Sequence, residues 1–158
     1  MTAAWTDIEP RELNGSNGFR LMPTDDLAQR EASGTISTAA GGHALELHYT
    51  WEHPDDGVQD GVLLVASPAE DGAVTATWLD SWHQKPFPLV LTGTLTGDRF
   101  DARADYGGGW FWEVSCTPGA ESVEVTMRNL VPEEHRTGDE TGALDAEGGY
   151  DVMVMRLT

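Results

Sequence analysis

The feature that most constrains the fold of this chain is the frequent occurrence of glycine and proline, which divide it into short segments. The 158 residues include 18 glycines and 8 prolines. The segments between them alternate apolar and polar side chains, which is the period of a strand and not of a helix. Residues 43–53 show this best, because Leu45, Leu47, Tyr49 and Trp51 are separated by polar residues. An all-β chain is therefore predicted.

The same alternation, broken by turn residues, predicts the positions of further strands. They fall at residues 62–67, 73–82, 87–95, 99–106, 110–114, 123–127 and 150–157. Evenly spaced strands joined by short turns favour a closed up-and-down antiparallel barrel of about 8–10 strands, because closure removes exposed sheet edges. A β-sandwich is the alternative. A chain of 158 residues fits one such domain.

Two segments fall outside the alternation. Residues 1–18 are polar and are predicted to form an N-terminal arm, with a short helix over residues 7–13. Residues 132–149 are rich in acidic residues and glycine. They are predicted to form a long solvated loop, which either covers a mouth of the barrel or is an ordinary insertion.

The chain has a large excess of acidic residues, which excludes some classes of partner. It has 27 acidic and 9 basic residues, with a net charge of −18 at pH 7. Such a surface repels nucleic acid and anionic membranes, so neither is expected as a partner, and the oligomeric state stays open. The single cysteine, Cys116, fits a reducing compartment and a buried apolar position. The N-terminus lacks the pattern of a signal peptide, so a cytoplasmic location is expected.

One motif carries a family resemblance. Residues 77–81 read Thr-Trp-Leu-Asp-Ser and are followed by Leu-Thr-Gly-Thr-Leu at residues 91–95. With these motifs, the chain from residues 18–23 to its last strand resembles the bacterial domain-of-unknown-function family numbered fifteen-seventy-nine. The resemblance implies a lipocalin-like, calycin-type barrel with an internal cavity, and it implies no activity. The sequence departs from the family pattern at residues 82–86, Trp-His-Gln-Lys-Pro.

The histidines do not have the spacing of a metal site. His43, His48 and His53 follow one another at intervals of five, which puts neighbouring members on opposite faces of a strand. His43 and His53 share a face but lie roughly 33 Å apart along it. The chain also has no phosphate-binding loop, no dinucleotide fingerprint and no nitrobindin-like Gly-x-Trp-x-Gly opening for haem. We expect neither a metal nor a cofactor.

Asp80 is the most informative candidate residue. Counting by twos places it with Trp78 and Trp82 on one apolar face of a strand. A carboxylate among indoles is costly to bury unless it is paired or hydrogen-bonded. One interpretation is structural, with Arg20, Arg156 or an indole N–H as the partner. The other is a cavity acid/base or an anchor for a ligand.

Three functions follow from these residues. The first is the binding of a small apolar or aromatic molecule in the barrel interior. The second is a small-molecule isomerase or cyclase that uses Asp80 as acid/base, helped by His83 or Tyr106, although His83 is predicted to point away while the strand persists. The third is a plugged barrel that serves as a structural or interaction module. The candidate ligand-binding residues are the aromatic and polar side chains on apolar strand faces: Tyr49, Trp51, Trp78, Asp80, Trp82, Tyr106, Trp110, Trp112 and Asn129.

Overall fold

The computed structural model describes residues 5–158, which form a closed antiparallel barrel of ten strands. The strands are β1 (Arg11–Phe19), β2 (Ala28–Ala39), β3 (Ala44–His53), β4 (Gly57–Ala66), β5 (Ala73–Asp80), β6 (Gln84–Thr96), β7 (Arg99–Gly107), β8 (Trp110–Pro118), β9 (Val123–Leu130) and β10 (Gly149–Leu157). Each strand pairs with its neighbours in the sequence, and β1 closes the barrel against β10. The predicted all-β, up-and-down barrel is confirmed, and the sandwich alternative is wrong.

The interior of the barrel is filled by the apolar half of each alternating strand. Burial alternates along β3 and β5, so Leu45, Leu47 and Trp51 are buried beside Val74 and Trp78. The lone thiol of Cys116 is also buried, and burial raises its pKa to about 12. The alternation read from the sequence thus marks the buried face in these strands.

The N-terminal prediction is wrong where the structure describes it. Residues 1–4 of the predicted arm lie outside the described residues, residues 5–7 form a turn, and β1 begins at Arg11, where part of a short helix was predicted. A Cβ at Gly15 of β1 would collide with the backbone of Arg156 in β10. A glycine at a position of close backbone approach contributes no side chain to the alternation, so the pattern of this strand is weak.

One end of the barrel, named here the long-loop end, gathers the connections that matter for the site. These are residues 20–27, 54–56, 81–83, 108–109 and 131–148. The acidic segment 131–148 contains two 3-10 turns, Glu133–His135 and Asp139–Ala143.

The acidic segment is held against the long-loop end by specific contacts. Arg128 of β9 binds the carboxylate of Asp145, and the guanidinium of Arg136 donates to the carbonyl oxygens of Val131 and Glu147, each at 2.8 Å. Leu144 packs against the core. The segment therefore lies on the barrel and is attached to β9.

The wall of the barrel opens between β6 and β7 near the long-loop end. The ladder between these strands has Thr92 and Arg103 as its last pair, although β6 extends to Gln84 and β7 to Gly107. The Pro-Phe-Pro segment at residues 86–88 lies in the unpaired part of β6, and proline has no N–H to donate to a ladder. The two strands separate here, which leaves a cleft in the wall.

Among residues 5–158, no helix is both long and apolar enough to cross a membrane.

Candidate ligand-binding site

Asp80, the last residue of β5, lies at the centre of a buried hydrogen-bond network. Its side chain is almost completely withdrawn from solvent. Its Oδ2 accepts hydrogen bonds from the hydroxyl of Tyr49 (2.7 Å) and from Nε1 of Trp51 (3.1 Å). The Tyr49 oxygen in turn accepts a hydrogen bond from Nε1 of Trp78 (2.8 Å). These hydrogen bonds therefore fix the three aromatic side chains in the barrel interior.

The second oxygen of Asp80 shapes the turn that follows. Its Oδ1 accepts from the backbone N–H groups of Trp82 and His83, both at 2.9 Å. A carboxylate bonded to N–H groups two and three residues further on closes a tight turn. The strand therefore ends at Asp80, and the prediction that it continues to Trp82 is wrong. The prediction that His83 points away is wrong for the same reason, because the turn brings its ring over the indoles of Trp51 and Trp78.

Neither arginine considered as a partner of Asp80 reaches it. Arg20 donates to the carbonyl oxygens of Asp151 (2.6 Å) and Pro23 (3.2 Å), and Arg156 lies beside Glu124. An indole N–H, the other predicted partner, does bind Asp80. Four protein donors thus use both oxygens of a carboxylate that solvent does not reach. This arrangement is that of a structural group and does not favour Asp80 as an acid/base.

A pocket of about 190 Å³ lies in the cleft between β6 and β7, lined by Trp78, His83, Gln84, Leu89, Tyr106 and Trp112. The indoles of Trp78 and Trp112 are nearly parallel, with ring centroids 5.2 Å apart and an interplanar angle of 10°. The imidazole of His83 lies 5.4 Å from the Trp112 ring. An apolar cavity of about 150 Å³ can hold benzene, so this pocket has the size of a one-ring molecule.

Two ring nitrogens of residues that line this pocket have no hydrogen-bond partner among the described residues 5–158. They are Nε2 of His83 and Nε1 of Trp112, and both are withdrawn from solvent. A buried polar atom without a partner costs about 1–3 kcal/mol. Burial, with a smaller contribution from the neighbouring His53, lowers the pKa of His83 to about 4 against the attraction of the Asp80 carboxylate. The imidazole is therefore neutral at neutral pH.

Tyr106 forms the outer wall of the pocket and is 48 % exposed. Its hydroxyl donates to Oδ1 of Asn129 at 2.5 Å, and Nδ2 of Asn129 donates to the hydroxyl oxygen of Tyr150 at 3.2 Å. The Tyr150 hydroxyl donates to the carbonyl oxygen of Leu21 at 3.0 Å. Burial raises the pKa of Tyr106, so its hydroxyl stays protonated. This chain of hydrogen bonds ties the pocket wall to β9, β10 and the β1–β2 loop.

The other candidate residues lie near the pocket without lining it. Trp82 stacks on His53 with centroids 4.7 Å apart and donates its Nε1 to Asp56 at 2.8 Å. Trp110 lies under the acidic segment and stacks on His135 at 5.8 Å. The structure thus brings Trp78, Tyr106 and Trp112 to one pocket. Tyr49 and Trp51 do not line this pocket.

Sequence reasoning missed Gln84 and Leu89 as pocket residues. Leu89 had a usable signal, because it alternates with Leu91 in a predicted strand. Phe87 shares that predicted face but is 75 % exposed, since the pairing of β5 with β6 shifts register between Trp78 and Asp80. Within residues 5–158, no three His, Cys, Asp and Glu side chains are grouped so as to hold a metal ion.

Comparison of the chain with protein-family models and with curated protein sequences finds no match. The fold and the site define the molecule as a closed ten-stranded up-and-down barrel of lipocalin-like architecture. Its wall carries an aromatic pocket.

Proposed function

We propose that this protein binds a small planar aromatic molecule, non-covalently, in the pocket between β6 and β7. The observation that carries the proposal is a pocket lined by the indoles of Trp78 and Trp112, which stack nearly parallel on each other. A flat ring packs well on such a surface. The proposed site is smaller than the whole barrel interior, because buried side chains, including the network around Asp80, fill that interior.

The pocket sets the scale of the affinity. A single ring that buries about 150–200 Å² of apolar surface gains roughly 4–5 kcal/mol. This corresponds to a dissociation constant of about 0.2–1 mM, before any hydrogen bond to the wall. Binding should therefore be sought at millimolar ligand concentration, by chemical-shift perturbation or calorimetry.

The test compares two substitutions at neighbouring positions of β6. Leu89→Trp fills the pocket from its β6 side, whereas Val90 is 56 % exposed and Val90→Trp adds the same side chain outside. With phenol and indole as probes, Leu89→Trp should weaken binding at least about tenfold, or 1.4 kcal/mol. Val90→Trp should leave binding unchanged. If wild type binds neither probe, or if Leu89→Trp binds as wild type does, the pocket is not the site.

Three further assignments belong to the same proposal. The partner is a small molecule and not nucleic acid, which is supported by the net charge of −18 because like charges repel. A cytoplasmic location is supported by the single, unpaired and buried Cys116. Membership of the family numbered fifteen-seventy-nine is also part of the proposal, supported by the motif at residues 77–81.

A further inference from the structure

β6 presents a free strand edge to the cleft beside the pocket. Its ladder with β5 is regular from Thr94 to Leu89. Within the described residues 5–158, its ladder with β7 has Thr92 and Arg103 as the last pair. Residues 84–91 of β6 therefore have no strand partner on the β7 side. A strand edge of this kind is where an extended peptide can add to a sheet.

Val90 is the residue of this edge whose backbone is directed into the cleft. The N–H of Leu95 donates to the carbonyl oxygen of Gly72, on the β5 side of the strand, at 2.9 Å. In an antiparallel sheet the backbone groups of successive residues point to opposite neighbours. The N–H and C=O of Leu89 therefore face β5, and those of Thr92 and Val90 face β7. Val90 lies beyond the last pair of that ladder.

The chain itself cannot readily extend the ladder past this point. The register of β6 with β7, continued beyond its last pair, places Pro88 opposite Gly107. Proline has no N–H to donate. The N–H of Gly107 already donates to Oδ1 of Asp105, at 2.7 Å. The next pair thus lacks its donor on β6 and has a donor already in use on β7, which leaves the edge at Val90 open to another chain.

Strand alternation would direct a side chain of such a peptide into the pocket. A peptide residue paired with Val90 has its side chain on the outer face of the barrel, where Val90 is exposed. The peptide residues on either side of it point to the opposite face, where Leu89 lines the pocket. The pocket volume of about 190 Å³ accepts one aromatic ring. The net charge of −18 is complemented by basic side chains beside that ring.

We infer that the small molecule bound here is a short extended peptide, which pairs with the β6 edge at Val90 and places an aromatic side chain, flanked by basic residues, in the pocket. The inference rests on the proposed function, because it assumes that the pocket is a binding site. It adds the chemical class of the ligand. In this mode of recognition, main-chain hydrogen bonds supply affinity and a side-chain pocket supplies specificity.

The first experiment measures the binding of acetyl-Lys-Phe-Lys amide to the wild-type protein by calorimetry at pH 7. Either lysine can pair with Val90, and the N–H of the phenylalanine then points away from β6. N-methylation of both lysines should weaken binding at least about fivefold, as the loss of one hydrogen bond does. N-methylation of the phenylalanine is the matched control and should change binding less than about twofold. Acetyl-Glu-Phe-Glu amide should bind at least about fivefold more weakly than the lysine peptide.

The second experiment removes the donor on the protein side. Val90→Pro deletes the N–H that faces the cleft and leaves the ladder with β5 intact, because proline is tolerated at a strand edge. It should weaken the lysine peptide at least about fivefold and change phenol and indole less than about twofold. Val90→Ala keeps the N–H and should bind all three probes as wild type does. If Val90→Pro does not fold, the N-methylated peptides decide the question on the wild-type protein.

The possible failures are distinct. If the peptide methylated on both lysines binds as tightly as its parent, or if Val90→Pro binds the parent as Val90→Ala does, strand pairing is wrong while the pocket remains a site for aromatic molecules. If the glutamate peptide binds as tightly as the lysine peptide, the requirement for basic residues is wrong. If phenol, indole and the peptides all fail to bind, the proposed function itself fails.

Discussion

The Asp80 network makes a quantitative prediction for the substitution Asp80→Asn, which keeps the size of the side chain and removes its charge. All four neighbours of the carboxylate are donors: Tyr49 and Trp51 at Oδ2, and the backbone N–H groups of Trp82 and His83 at Oδ1. The asparagine amide can be placed in two ways. Both put its NH₂ group against two donors.

The less costly placement puts the NH₂ group against Tyr49 and Trp51. The Tyr49 hydroxyl can rotate, but the indole N–H of Trp51 is fixed and is left without an acceptor. One orphaned buried N–H costs about 1–3 kcal/mol, and each remaining bond loses roughly 1 kcal/mol when its acceptor is no longer charged. The sum is a loss of about 3–5 kcal/mol from a typical total stability of roughly 5–15 kcal/mol.

Urea unfolding followed by circular dichroism measures this loss, because a shift in midpoint at constant slope reports stability alone. The matched control is Asp60→Asn, since the Asp60 side chain is 62 % exposed and its carboxylate lies 3.3 Å from His48. An exposed pair of this kind contributes less than about 1 kcal/mol. If Asp80→Asn loses less than about 1 kcal/mol, the carboxylate does not hold the indoles and the turn, and the argument above is refuted.

Two further predictions test the surroundings of the network. His83 has a folded pKa of about 4 against roughly 6.5 unfolded, so the unfolded state binds more protons between these values and stability falls as pH falls from about 6.5 to 4. At 1.36 kcal/mol per pKa unit, the whole loss of stability is at most about 3 kcal/mol. The test is a His83→Gln variant, whose stability is measured by urea unfolding over the same pH range. If this variant loses as much stability as wild type, His83 is not the group responsible. Gly61→Ala places a Cβ against the buried ring of Tyr49 and should cost about 1–3 kcal/mol. Gly142→Ala, which meets no atom within 4 Å, should stay within about 0.5 kcal/mol of wild type; equal midpoints for the two variants would show that Tyr49 can move.

The predicted strands illustrate how far a local pattern reaches. In β3, large apolar side chains alternate strictly with polar ones, and the predicted span of residues 43–53 differs from the observed strand by one residue. β1 and β2 contain Gly15, Ala32 and Gly34, which have small side chains or none, and the alternation does not predict these strands. At Gly15 the backbone of β10 lies so close that a Cβ would meet Arg156, a residue far away in the sequence.

For the candidate site too, some features follow from the local sequence and others do not. That Asp80 belongs with Trp78 on a buried face follows from strand parity, and that a buried carboxylate needs hydrogen bonds follows from its cost of desolvation. These conclusions use only neighbours along the chain. The sequence does not identify the donors that bind the Asp80 carboxylate. Tyr49 and Trp51 come from another strand, and its register is set by the whole sheet.

What the sequence by itself determined is therefore the all-β class and the buried position of Asp80, and it favoured a closed barrel over a β-sandwich. Only the tertiary structure decided that Asp80 closes a turn that brings His83 inward. It also decided that β6 and β7 separate beyond Thr92 and Arg103, so that Trp112 meets Leu89 across a pocket. The physical reason is that alternation and turn chemistry are short-range properties of the chain. A gap in a barrel wall, and the partners of a buried group, depend on the register and closure of all ten strands together.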